Sequence, residues 1–270
     1  GLIGGSIGLA VKQKKLAKTV VGICRRKVSA KAALKSRAVD VATLSYEKGL
    51  KDADLVIVAT PVGKIVDVAK RITKFSKRNV IVTDVGSTKE KIVKEASRIS
   101  PQHIKFIGVH PMAGSEKSGI SNANKNLFIN SICILTKTPK TDKRALGIVK
   151  EFWQSLGASC RILSPAQHDY YISLISHLPH IVAASLVAAV STEPKSLNYA
   201  STGFRDTTRI ASSEPDLWQD IFMTNRARIL SSLAGFKKIL AQIERSIRVG
   251  DEKYLKNILM KSKKVRDTLN

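Results

Sequence analysis

Several short stretches of this 270-residue chain combine residue types whose spacing could do chemistry. Gly1-Leu2-Ile3-Gly4-Gly5-Ser6 reads as the back half of Gly-x-Gly-x-x-Gly, with Gly1 as its second glycine and Gly4 as its third. Such a loop leaves bare backbone N–H groups at a helix start, where the macrodipole favours an anion, so it speaks for a dinucleotide pyrophosphate. Gly1, Leu2, Ile3 and Gly4, with Thr60 and Pro61 at the end of a later apolar run, are the candidate cofactor-binding residues. Roughly 20 residues past the loop an acid would normally hold the ribose 2′-hydroxyl of NAD. That place holds Cys24, followed by Arg25 and Arg26. With no carboxylate present, the two guanidiniums favour a 2′-phosphate, and NADP is expected over NAD. The plainer alternative is that Arg25 and Arg26 start a solvated helix.

Further on come Asp84-Val85-Gly86-Ser87-Thr88-Lys89 and Gly108-Val109-His110-Pro111-Met112-Ala113-Gly114-Ser115-Glu116-Lys117-Ser118-Gly119, each after a run of strand character. Ligands of α/β sheets gather at such strand ends. Ser176 and His180 are spaced i, i+4, and His177 lies three before His180, so two imidazoles and a hydroxyl can face one cleft around the kink that Pro179 imposes. A helical His-x-x-His could ligate a metal, but no third ligand stands nearby, and none is expected. In Gly203-Phe204-Arg205-Asp206-Thr207-Thr208-Arg209, Asp206 lies one helical turn before Arg209 and could hold its guanidinium in position.

The elements that must position these residues follow a clear alternation. Helical spacing over residues 6–16 gives way to a β-branched run at 19–24 and a weaker one at 39–44. Buried strands are predicted at 55–59, 80–83 and 106–109, with helices at 63–75 and 88–97 between them. Strands at 131–136 and 159–163 flank a helix at 142–156. This pattern predicts an α/β fold, a doubly wound Rossmann-type parallel sheet, with its first strand and first glycine missing and nucleotide binding weakened accordingly. After Ser164-Pro165 only helical spacing remains, so residues 1–164 are read as a dinucleotide-binding domain. Residues 165–270 are read as an all-α substrate-binding and dimerisation domain. Residues 181–190 are apolar on all sides and suit a helix buried all round, against a partner subunit.

Composition bounds the rest. Hydrophobic residues make up 43%, enough for one large or two modest cores. No run of roughly 18 apolar residues is evident, so a cytoplasmic protein with no membrane partner is expected. Cys24, Cys133 and Cys160 lie far apart in sequence without paired spacing and are read as buried, reduced thiols. The formal charge of +25 is a footprint of nucleic-acid binding. Its Lys and Arg are nevertheless spread along the chain and aromatic residues are only 5%, so a solvated basic surface with no specific nucleic-acid partner is favoured.

Taken in order, these stretches resemble the prephenate dehydrogenase family, including its arogenate-using members. The resemblance runs from Gly1 to about Lys238. It implies oxidative decarboxylation of prephenate or arogenate with a nicotinamide cofactor, on the way to tyrosine, in a homodimer. It also implies that His110 is the catalytic histidine taking the proton of the ring hydroxyl and that Ser87 orients it. Arg209 then binds a substrate carboxylate and His180 contacts substrate, with Ser176, His177, Asp206, Ser115 and Glu116 around the cleft. His103 and His168 match no motif and are read as ordinary surface or packing residues. Another two-domain hydroxyacid dehydrogenase would share the glycine loop but not the His-Pro-Met-Ala-Gly or Gly-Phe-Arg-Asp stretches. A basic nucleic-acid-binding protein on an inactive Rossmann scaffold is the alternative from a different class.

Overall fold

The computed structural model describes all residues except 78, 100, 102, 103, 115–117 and 270. Ser115, Glu116 and His103 therefore lie outside the described residues. Packing groups Gly1–Arg226 into one compact unit and Ala227–Asn270 into another.

The first unit opens with helix α1 (Leu2–Gln13), for which Gly1 is the N-cap. Its glycines permit close approach. A Cβ on Gly8 would stand 2.1 Å from the Ala38 carbonyl oxygen, and one on Gly4 would press on Ala59 at 3.1 Å. Strand β1 (Val21–Ile23) runs parallel to β2 (Val41–Thr43). A separate parallel ladder takes β3 (Leu55–Val58), β4 (Ile81–Asp84) and β5 (Lys105–Ile107) in that order. The crossovers are α4 (Ile65–Phe75) and α5 (Glu90–Ile99), whose apolar stripes supply Ile65, Ile72 and Ile92 to the core. Helices α2 (Lys27–Lys35) and α3 (Tyr46–Leu50) flank the first ladder.

One strand differs from the sequence reading. The run expected at 106–109 divides at Gly108: β5 ends at Ile107, and β6 (Val109–Pro111) pairs antiparallel with β7 (Ile132–Thr136). β8 (Ser159–Leu163) then runs parallel to β7. Gly108 makes the hand-over possible, because a Cβ there would lie 2.5 Å from Thr136 Oγ1 and 2.6 Å from a Val93 methyl. The Rossmann-type sheet unit thus contains one antiparallel pair, and His110 lies inside a strand rather than past the end of a parallel one. Helix α6 (Lys143–Ser155) covers this ladder, placing Trp153 edge-on against Phe128 in the largest core cluster.

From Pro165 the chain is helical: α7 (Pro165–Ile172), a π-helical turn (Ser173–His177) and α8 (Leu178–Val190). Ser164 and Gln167 start this run with a reciprocal capping box. A π turn stands just before Pro179, where the sequence reading expects a kink. Helix α9 (Thr202–Thr208), the 3₁₀ turn Arg209–Ser212 and α10 (Pro215–Thr224) follow. Trp218, Ile221 and Phe222 of α10 join the core formed by α4, α5 and the strands. The change of structural class at Leu163 and the change of packing unit at Arg226 therefore fall at different places.

Residues 184–189 of α8 are exposed in the single chain, the face that the sequence reading assigns to a partner subunit. Two expectations are corrected here. Within the continuous helix Pro165–Val190, of 26 residues, an 18-residue window has a mean hydropathy of 1.7, so the helix is long and apolar enough by length and composition to cross a membrane, contrary to the sequence reading. Its inward face nevertheless carries buried His168, Asp169, Ser173, His177 and His180. Finally, Cys24 and Cys160 are half-buried, and Cys133 and Cys160 are direct neighbours across the β7/β8 ladder.

The second unit contains the remainder of α11 (Arg226–Val249) and α12 (Glu252–Asp267). Gly250, at φ +69°, makes the turn, and Asp251 caps α12 through the Tyr254 N–H at 2.9 Å.

Candidate active site

His110 sits at the centre of β6 with its ring buried. Its Nδ1 lies 2.9 Å from Nε2 of His168, on α7. His168 Nδ1 is in turn 2.7 Å from Asp169 Oδ1. The carboxylate of Asp169 accepts the backbone N–H groups of Lys89 and Glu90, at 2.7 and 2.8 Å, and so closes the N-terminus of α5. His168 is thus no ordinary packing residue. Sequence reasoning missed it because its only signal was an His-Asp pair just inside a predicted helix.

The floor of the site is a buried ion pair between Lys89 Nζ and Asp84 Oδ2. Asp84, the last residue of β4, also accepts the N–H of Gly86 at 2.9 Å and that of Val109 at 3.2 Å. Those bonds pin the turn carrying half-buried Ser87 to the strand carrying His110.

A second group lies about two to three turns along the same helix. Asn225 Nδ2 donates to the Asp169 carbonyl at 2.9 Å and reaches His177 Nδ1 at 3.2 Å. An amide nitrogen only donates, so His177 Nδ1 accepts and its proton is on Nε2. His177 Nε2 and His180 Nδ1 are buried and have no hydrogen-bond partner among the described residues. Both rings contact Trp218, His180 face to face and His177 edge-on. Ser176 is half-buried beside them. The turn carrying Arg209 packs on α8, while Arg209 and Asp206 are both exposed.

The electrostatics favour neutral imidazoles. Burial lowers the pKa of His110 well below the ordinary histidine value, and the neighbouring His168, Lys89 and His177 add to the effect. Burial lowers His168 too, against the pull of Asp169, and takes His177 to about 4. His180 is lowered for the same reason. A buried, neutral imidazole is equipped to accept a proton, and unpartnered ring nitrogens beside it are equipped to meet polar groups of a ligand.

The candidate cofactor-binding residues lie at the starts of α1 and α2 and just past β3. No side chain caps α1 and no acid lies in its first turn, so its positive end is open to an anion. Thr60 Oγ1, just past β3, is buried without a hydrogen-bond partner among the described residues. Arg25 and Arg26 are exposed just past β1, with Arg26 as the N-cap of α2. A glycine-walled helix start, an orphaned hydroxyl and two cations fit a dinucleotide.

Comparison with known proteins gives two family matches that together cover most of the chain. Residues 7–162 match the prephenate dehydrogenase nucleotide-binding domain, and residues 164–261 match the prephenate dehydrogenase dimerization domain. The prephenate dehydrogenase of Bacillus subtilis (strain 168) is 39% identical over 274 residues, covering 100% of this chain and 74% of that protein. A crystal structure of prephenate dehydrogenase from Aquifex aeolicus, in complex with hydroxyphenyl propionate and NAD+, superimposes with a TM-score of 0.94 at 33% identity, covering 100% of this chain and 95% of that one. Synechocystis arogenate dehydrogenase gives 0.86 at 30% identity, with coverage of 100% and 97%.

Proposed function

The chain belongs to the prephenate dehydrogenase family, and from that premise we propose how its residues carry out the family's reaction. The reaction is oxidative decarboxylation of prephenate or arogenate in tyrosine biosynthesis. A bound nicotinamide cofactor accepts the hydride that leaves the hydroxyl-bearing ring carbon. His110 takes the hydroxyl proton at Nε2 as the hydride departs, and that carbon gains carbonyl character. Loss of the ring carboxylate as carbon dioxide then supplies the electron pair that makes the ring aromatic and leaves a phenolate, which takes up a proton to give the 4-hydroxyphenyl product. The observation that carries the reading is a buried His110, hydrogen-bonded to His168 and close enough to His177 to feel its charge, together with the buried and unpartnered His177 Nε2 and His180 Nδ1 among the described residues.

His177 donates from Nε2–H to a substrate oxygen, and His180 and Ser176 contact the same side of the substrate. Arg209 receives a substrate carboxylate in its planar fork, with Asp206 orienting it. Ser87 orients the reacting hydroxyl toward His110, and Ser115 and Glu116 form the rim. Gly1, Leu2, Ile3, Gly4, Thr60 and Pro61 hold the dinucleotide. Arg25 and Arg26 favour NADP over NAD. The apolar face of α8 is covered by a second copy, giving a cytoplasmic homodimer with no specific nucleic-acid partner. A steady-state assay crossing prephenate and arogenate with NADP and NAD tests this reading. Cofactor reduction with release of carbon dioxide is expected for at least one substrate, and no reduction above background with either would overturn it.

A further inference from the structure

We propose that His168 and Asp169 form a positioning pair that fixes the tautomer of His110, holding its proton on Nδ1 and leaving Nε2 as the open acceptor. This rests on His110 being the base, and adds to it the reason why that base points its lone pair the right way.

The assignment follows from what each partner can do. The Asp169 carboxylate can only accept, and it already accepts from the Lys89 and Glu90 backbone. His168 must therefore carry its proton on Nδ1, 2.7 Å from Oδ1. With that ring neutral, His168 Nε2 is an acceptor, and the 2.9 Å contact to His110 Nδ1 requires His110 to donate. One nitrogen remains on His110, and it is unprotonated. The opposite arrangement, with the proton on His110 Nε2, would set two lone pairs against each other at 2.9 Å.

The chain of bonds also matters after proton transfer. Once Nε2 of His110 takes the hydroxyl proton, the imidazolium still donates from Nδ1 to His168, whose other nitrogen donates to a carboxylate. No further bond forms or breaks, and the positive charge is met by an anion two hydrogen bonds away. The carboxylate is itself fixed, because its two oxygens hold the start of α5. His168 is fully buried and Asp169 almost so, which keeps water from replacing either contact.

Other charged or titratable groups facing His110 are the Lys89–Asp84 pair beneath it and His177 on the π turn. None of them is hydrogen-bonded to its ring among the described residues, so the tautomer is set from α7.

The test pairs a spectroscopic readout with kinetics. In full-length protein with ¹⁵N-labelled histidine, with His110 assigned by its loss in His110→Asn, the expected ring shifts are those of an Nδ1-protonated neutral imidazole. An Nε2-protonated His110 would overturn the proposal. His168→Leu, which removes the acceptor, should lower kcat at least about 10- to 100-fold, the loss seen when a partner that orients a metal-binding histidine is removed. The substrate KM should change far less. His168→Gln, whose carbonyl oxygen can accept from His110 while its amide donates to Asp169, should recover most of the loss and keep the acid limb of the pH profile in place. Equal losses for Leu and Gln, or no loss for Leu, would overturn the proposal. If His110→Asn is fully active while the Nδ1 tautomer is observed, the base assignment fails and the positioning pair stands.

Discussion

The imidazole of His180 lies flat against the indole of Trp218, with ring centroids 3.5 Å apart and planes 10° from parallel. His180 comes from α8 and Trp218 from α10, so the stack ties together two helices that border the site. Trp218 also meets His177 edge-on at 6.1 Å. One indole thus sets the orientation of both imidazoles that carry unpartnered nitrogens.

Trp218→Leu should therefore raise the substrate KM about 2- to 12-fold, matching the roughly 0.5–1.5 kcal/mol of an aromatic pair, and leave the cofactor KM in place. Trp218→Phe should recover part of the effect. A substrate KM that does not respond to Leu would mean that the stack plays no part in binding.

His110→Asn preserves a polar side chain in β6 but lacks a basic nitrogen. Turnover should fall roughly 10²- to 10⁴-fold, the range for a positioned acid–base group, with the substrate KM changing little. Pre-steady-state hydride transfer measured by cofactor absorbance is the check. Unchanged transfer would remove His110 as the base.

The parts of this site that were legible in the sequence are those where one residue type alone can do the job. Gly4 could be read because only glycine lets α1 come so close to Ala59, and His110 could be singled out by its Pro-x-Ala-Gly setting, although it lies at the centre of β6 and not past a strand end. His168 and Asp169 were not legible, since 58 residues separate His110 from its hydrogen-bond partner and no local spacing rule connects a strand to a helix. Trp218 and Asn225 were hidden for the same reason, since 48 residues separate Asn225 from His177. The division of 106–109 into two strands also escaped, because local patterning records burial and not the direction of the neighbouring strand. The apolar face of α8 is exposed in the single chain, and the sequence reading assigns it to a partner subunit.

Cofactor choice is tested at the end of β1. Cys24 replaces the acid that would both bind a ribose 2′-hydroxyl and repel a 2′-phosphate, and Arg25 and Arg26 stand exposed beside it. The protein should show the higher kcat/KM with NADP. Cys24→Asp combined with Arg25→Ser should reverse that order, by supplying the hydroxyl acceptor and deleting a phosphate partner. Preference for NAD in the unsubstituted protein would refute the assignment.

The neutral histidines also predict how the fold responds to acid. His177 accepts from Asn225 at Nδ1, and burial holds its pKa at about 4 against an ordinary value of 6.5, despite the opposing pull of Asp169. A group whose folded pKa is depressed binds fewer protons in the native state than in the unfolded chain. Its stabilisation is complete above the unfolded value of 6.5, falls as the pH drops, and is gone below about 4. A displacement of that size corresponds to roughly 3 kcal/mol for this one residue. His110, His168 and His180 are displaced in the same direction by burial, so their contributions fall with the same sign. Urea unfolding followed from about pH 7 down to about pH 4 should show stability declining with acid, and His177→Gln should flatten the slope by as much as one proton in that window. The slope is the diagnostic quantity, because the substitution also changes absolute stability through packing. An unchanged slope would mean that His177 is already protonated in the native state, and that its Nε2 is not the donor of a neutral ring.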